Sequence, residues 1–146
     1  MFLALREFLR PRGGKVLFAS LRLQLREGKF REPNLLLLRD ANDPRRQNAY
    51  WLGADLVLEV VSPDDPERDT RIKVADYAEA GIPEYWIVDP ADATVTVLRL
   101  AGAAYATLGV FRRGDTATSA LLDGFAVAVD AAIDARWWFS RQAMRA

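Results

Sequence analysis

Residues 55–90 read DLVLEVVSPDDPERDTRIKVADYAEAGIPEYWIVDP, and the parsing of this stretch decides the fold. Asp55 to Val61 is a short apolar run bounded by turn residues, which predicts a strand covered on both faces. Ser62-Pro63-Asp64-Asp65-Pro66 breaks it and offers N-cap candidates for a helix running to about Ala80. Gly81 suits a helix C-terminus, and Pro83 forbids continuation. Glu84 to Val88 (EYWIV) is the next strand, closed by an Asp89-Pro90 turn. Strand, helix and strand in this order predict a βαβ unit with both strands in one sheet, the helix on one face and a right-handed crossover.

Outward from this unit, Phe2 to Arg10 places Phe2, Leu5 and Leu9 on one helical face, stopped by Pro11 and Gly13-Gly14. Starting at the first residue, this helix has no room for a capping side chain. Leu17 to Arg26 alternates leucine with polar residues, as a half-buried strand does. Leu35 to Leu38 is an apolar run bounded by charges, expected to be buried on both faces. Asp40 to Gly53 is polar, contains Pro44 and reads as a loop. After the central unit, Thr94 to Leu100 and Ala104 to Phe111 predict a meander. Short strands follow near Thr116 to Leu121 and Phe125 to Val129. Asp130 is a candidate cap for a closing helix bearing Trp137, Trp138 and Phe139. With no repeat or linker-like composition shift, residues 1–146 read as one α/β (α+β) domain.

The chain has neither histidine nor cysteine among its 146 residues. This excludes disulfides, thiolate metal sites, a cysteine nucleophile and any imidazole base. Chemistry here must rest on carboxylates, lysine, arginine, hydroxyls and a hard metal held by oxygen. Formal net charge is zero, so the bulk charge signals no nucleic acid or anionic membrane. No apolar run approaches the roughly 20 residues of a spanning helix, and the opening MFLALREFLR does not read as a signal peptide. Absence of cysteine fits a reducing cytoplasm.

Two positions stand out. Glu59 lies inside an apolar strand, where a carboxylate is costly without a partner. It is either the acid of an ion pair or wet outer face, or a metal ligand at a strand end. Lys73 is one of three lysines beside 17 arginines. At helical spacing it neighbours Asp69 and Asp76 or Tyr77, so it is either a solvated partner of those acids or a functional cation. Gly13-Gly14-Lys15 lacks the spacing of a phosphate-binding loop. Arg113-Gly114-Asp115 is a turn, and Asp64-Asp65 is explained by helix capping. The Trp137-Trp138-Phe139 cluster reads as core or as an oligomer contact.

The stretches EPNLLLLRD (32–40), ADLVLEVVSPDDPERDTRIKVADYAEAGIPEYWIVDP (54–90) and FRRGDTATSALLDGFAVAVD (111–130) together resemble the Uma-two family of restriction-endonuclease-like proteins, within the PD-(D/E)XK nuclease superfamily. The resemblance implies a restriction-endonuclease-like core: a mixed central sheet flanked by helices, with a C-terminal antiparallel β extension. It implies a Mg2+- or Mn2+-dependent endonuclease cutting DNA phosphodiester bonds, cytoplasmic and dimeric. Glu59 would be catalytic and bind the metal. The superfamily's lysine position, two residues after that acid, is Val61 here, and Lys73 is the matching candidate from the following helix. The family's "PD" element corresponds to Pro33-Asn34, so Asn34 would be a metal ligand without a charge, weakening the site. The family's usual N-terminal segment is expected to be missing. The alternative is a degenerate relative that binds nucleic acid, or dimerises, without cutting.

Overall fold

The computed structural model of the chain describes residues 1–18 and 21–134. β6 (Leu56–Val60) and β7 (Glu84–Asp89) are adjacent and parallel, with Leu56 opposite Glu84 and Val60 opposite Val88. The expected βαβ unit therefore holds. Its helical arm passes through a widened π-helical turn, Arg68–Ile72, and continues as α2, Lys73–Glu79. Gly81 adopts φ +75° and ends the arm in a Schellman arrangement, its N–H on the Ala78 carbonyl and the Ile82 N–H on the Tyr77 carbonyl. Ile82 is buried there.

The remaining strands build outward from that pair. β4 (Leu35–Leu38) is antiparallel to β6, and β1 (Lys15–Phe18) antiparallel to β4. On the other side β8 (Thr94–Ala101) and β9 (Ala104–Arg112) form the expected meander. The sheet order is β1-β4-β6-β7-β8-β9. It is a mixed sheet with helices on its faces, a restriction-endonuclease-like α+β core.

Alternation along the central strands feeds two separate cores. Leu35, Leu37, Leu56, Leu58, Trp86 and Val88 pack with α1 (Phe2–Leu9) and α3 (Val129–Ile133). Leu36, Leu38, Val57, Val61, Tyr85 and Ile87 pack beneath α2 with Tyr77. All four leucines of β4 are fully buried, as their continuous run requires.

Several expectations are corrected. The stretch read as one strand from Leu17 to Arg26 contributes to two sheets. β1 joins the main sheet, whereas β2 (Arg22–Arg26) pairs with β3 (Lys29–Arg31) and β5 (Tyr50–Trp51). Asp40 to Gly53 is not wholly loop, because β5 runs parallel to β2 and buries Trp51. Arg45 organises that segment by bonding both Asp43 and Asp55 at 2.8 Å. The Arg45 side chain and N–H hold the Asp43 carboxyl down at about 2. The capping role expected of Asp130 falls to Ala128, which makes no side-chain cap; Asp130 sits in the first turn of α3. β10 (Thr116–Thr118) and β11 (Ala126–Ala128) are the short strands expected after the meander. Trp137, Trp138 and Phe139 lie outside the described residues.

Two carboxylates tie these layers together. Asp76 on α2 receives Lys29 at 2.7 Å and Arg31 at 2.6 Å, clamping the helix to β3. Burial works to raise its carboxyl, but the hydrogen bonds and charges of Lys29 and Arg31 outweigh burial and hold it below the usual range. Glu84 is 1% exposed, and the donors it meets among the described residues are neutral. They are the Trp86 indole N–H (2.6 Å), the Ser119 hydroxyl (2.6 Å) and the amides of Ala120 (3.0 Å) and Leu121 (2.9 Å). It pins the segment between β10 and β11 to β7.

A carboxyl depressed by folding contributes stability above its unfolded pKa and loses it as pH falls through the folded value. Asp76→Asn is therefore expected to cost about 1–3 kcal/mol at pH 7. Urea titrations should show the deficit closing as pH drops below the carboxylate range; a deficit constant with pH would refute the ionic clamp. Glu84→Ala strands several buried donors and should cost about 3 kcal/mol or more, read as a lowered Tm in calorimetry.

Candidate active site

β6 carries Glu59 out of the apolar run and onto the face beneath α2, between Val57 and Val61 in the strand's alternation. Burial is nearly complete, at 1% exposure, so the charge must be met by protein groups. Asn34 stands beside it because β4 runs antiparallel to β6 with Leu35 opposite Leu58. The Asn34 main-chain N–H donates to Glu59 Oε1 at 2.8 Å. In return the Val60 N–H donates to Asn34 Oδ1 at 2.9 Å. Asn34 thus brackets the acid on its own strand, one residue before β4 begins.

The other side of the carboxylate belongs to the helical arm. Lys73 Nζ forms an ion pair with Glu59 Oε2, and the Tyr77 hydroxyl donates to the same oxygen at 3.2 Å. Lys73 and Tyr77 are one helical turn apart, so one face of α2 delivers both. The three residues singled out from the sequence, Asn34, Glu59 and Lys73, therefore meet at one point. Asp40 lies at the opposite end of β4 and bonds the Asn42 amide, away from this cluster.

Asp69 is the member that sequence reasoning did not single out. It was visible only as a helical neighbour of Lys73. Its burial is almost total, at 2% exposure, and its Oδ1 accepts Lys73 Nζ at 2.8 Å. Its Oδ2 accepts the Ser62 N–H at 3.1 Å, and its main-chain carbonyl accepts the Tyr85 hydroxyl at 2.8 Å. The π-helical turn is the local cause: Asp69 lies within it and Lys73 closes it, the Lys73 N–H reaching back to the Arg68 carbonyl. Wide turns of this kind recur at functional sites. Regular helical periodicity gives no warning of one. Of the two acids read as partners for Lys73, only Asp69 pairs with it; Asp76 turns to β3.

Burial pushes the Glu59 carboxyl up, against the Lys73 ammonium and the Asn34 N–H, which pull it down. Burial likewise raises the Tyr77 and Tyr85 hydroxyls far above their ordinary value, and the nearby Glu59 charge adds to this. Both tyrosines are therefore neutral donors at any working pH. An ammonium has three N–H donors. Lys73 places one on each acid, and its side chain is 14% exposed, so it is the member of the trio open to solvent. Among the described residues no group of three or more acids, histidines or cysteines is placed to hold a metal ion.

Lys73→Met leaves two buried carboxylates without a cation and should cost about 3–5 kcal/mol, as breaking a buried pair does. Glu59→Gln leaves Lys73 on Asp69 and should cost less. The Lys73→Met deficit should shrink at acid pH, where the stranded Glu59 carboxyl, already pushed up by burial, protonates, since a group with a raised folded value favours the folded state as pH falls. Equal costs in chemical denaturation would contradict the shared-lysine geometry.

Comparison with known proteins places the chain in a family. No curated protein matches the chain. The crystal structure of "a putative nuclease belonging to DUF820" from Anabaena variabilis ATCC 29413 is similar in fold, with a TM-score of 0.70 and 18% identity over 90% of this chain and 75% of that one. The family Uma2, described as "Putative restriction endonuclease", matches residues 1–130. By that match over most of its length, the chain belongs to the Uma2 family of restriction-endonuclease-like proteins.

Proposed function

We propose that the chain is a divalent-metal-dependent nuclease that hydrolyses DNA phosphodiester bonds, with Glu59 and Lys73 as its catalytic residues. The observation that carries this reading is the meeting of Asn34, Glu59 and Lys73 where β4 and β6 come together beneath α2. The donor chemistry suits magnesium or manganese, which take oxygen ligands and one or two carboxylates. Glu59 would hold the ion with Asn34 Oδ1, whose carbonyl oxygen keeps a second lone pair beyond its bond to Val60. A bound ion supplies Lewis-acid polarisation of the phosphoryl oxygens. Lys73 turns its remaining N–H outward to a phosphate oxygen and neutralises the charge that grows there. Tyr77 and the Asn34 N–H keep the Glu59 carboxylate from rotating away. A dimer in a reducing cytoplasm completes the reading, supported by the family's habit and a chain without cysteine.

A second reading, a fold that binds DNA without cutting, is favoured by one observation. All four carboxylate oxygens of Glu59 and Asp69 already accept protein donors. A neutral asparagine stands where the family's pattern has an acid.

Plasmid nicking with magnesium or manganese separates the two. The chain is expected to nick slowly, Asn34→Asp to gain about tenfold through one added ligand charge, and Glu59→Ala to lose about a hundredfold or more. Equal rates in all three forms, or no cleavage even by Asn34→Asp, would remove Glu59 and Asn34 from the proposed site.

A further inference from the structure

Two buried carboxylates, Glu59 and Asp69, share the single ammonium of Lys73. A structural ion pair needs one acid per lysine, and a second buried acid adds a desolvation cost that no second cation among the described residues meets. The two acids also differ in what holds them. Glu59 rides on the sheet, and its Oε2 is crowded by both Lys73 and the Tyr77 hydroxyl. Asp69 rides on the same helical arm as Lys73, four residues earlier. Its Oδ2 is fastened by the Ser62 N–H and its carbonyl by the Tyr85 hydroxyl, so its position does not depend on the lysine. A cation arriving at Glu59 meets the ammonium already on its Oε2, and two positive charges so close in a poorly solvated interior repel strongly.

We propose that Lys73 holds the cation's place on Glu59 in the resting chain, and that Asp69 is the positioning residue onto which the ammonium withdraws when a divalent cation takes Glu59. This rests on the metal-dependent reading of the same site. The displacement needs only rotation about the outer bonds of the lysine stem, because the contact with Asp69 already exists. It keeps the ammonium beside the cation. It also accounts for the shared lysine: Asp69 makes Glu59 available without leaving Lys73 unpaired in the interior.

The test is Mn2+ binding to the full chain without DNA, followed by electron paramagnetic resonance, with the Mg2+-induced rise in Tm as a second readout. Lys73→Met and Lys73→Gln are expected to bind Mn2+ about tenfold tighter than the unmodified chain, with a larger Mg2+-induced rise in Tm. The glutamine variant keeps a donor for both acids and serves where the methionine variant does not fold. Asp69→Asn is expected to bind about tenfold weaker, because the ammonium then has only Glu59. Asp69→Asn combined with Lys73→Gln should recover tight binding, since with no competitor Asp69 has nothing to draw aside. If the double variant stays as weak as Asp69→Asn, Asp69 is a direct ligand and the proposal fails. It fails equally if neither lysine variant binds more tightly, or if no form binds Mn2+. Nicking that persists while Mn2+ affinity ignores Lys73 overturns this inference alone. The expected order of affinities without nicking overturns the hydrolytic reading alone.

Discussion

A carboxylate in the middle of an apolar sheet is the constraint around which this protein is organised. Glu59 cannot be buried unless its charge is met, and each neighbouring element supplies part of the answer. The chain entering β4 turns a main-chain N–H onto it. α2 brings an ammonium and a phenol to its other oxygen. The widened turn before α2 adds a second acid that holds the ammonium from behind. Removing any one contributor leaves a charged or polar group stranded, so sheet, turn and helix are coupled through a few polar contacts as well as through packing.

α2 is held firmly because it is fastened on both flanks. Its inner face places Lys73 and Tyr77 on Glu59, while Asp76 is drawn to Lys29 and Arg31 on β3. The small β2-β3-β5 sheet, with no part in the main hydrogen-bonded ladder, thereby sets the position of the helix that serves the site. On the opposite face of the sheet the packing is apolar, and the donors that Glu84 meets among the described residues are neutral and come from its own strand and the segment before β11. The same side-chain type does different work on the two faces: a fully satisfied latch on one, and an acid in contact with a partly exposed cation on the other.

Where local pattern and tertiary demand agreed, the sequence was readable. Four consecutive leucines can be buried on both faces only in a central strand, and β4 is one. Gly81 is needed at φ +75°, which few other residues tolerate, so the end of α2 could be placed from one letter. The anomalies Glu59 and Lys73 were legible because each conflicts with its surroundings: an acid in an apolar strand, a rare lysine among arginines. What escaped were features that no local period encodes. The split of residues 17–26 between two sheets follows from long-range pairing, since the alternation reads the same in either sheet. Trp51 is buried by a parallel partner some thirty positions earlier, in a stretch whose composition reads as loop.

The sequence by itself determined the central strand-helix-strand order, the parallel β6–β7 pair, the family and three of the residues that meet beneath α2, because burial and turn chemistry act within a few positions of the chain. Only the tertiary structure decided that Asp69, and not Asp76, shares Lys73 with Glu59. Both acids lie within reach of that lysine on a regular helix. The choice between them depends on a π-helical turn and on cations from β3, and neither leaves a mark in the spacing of the residues.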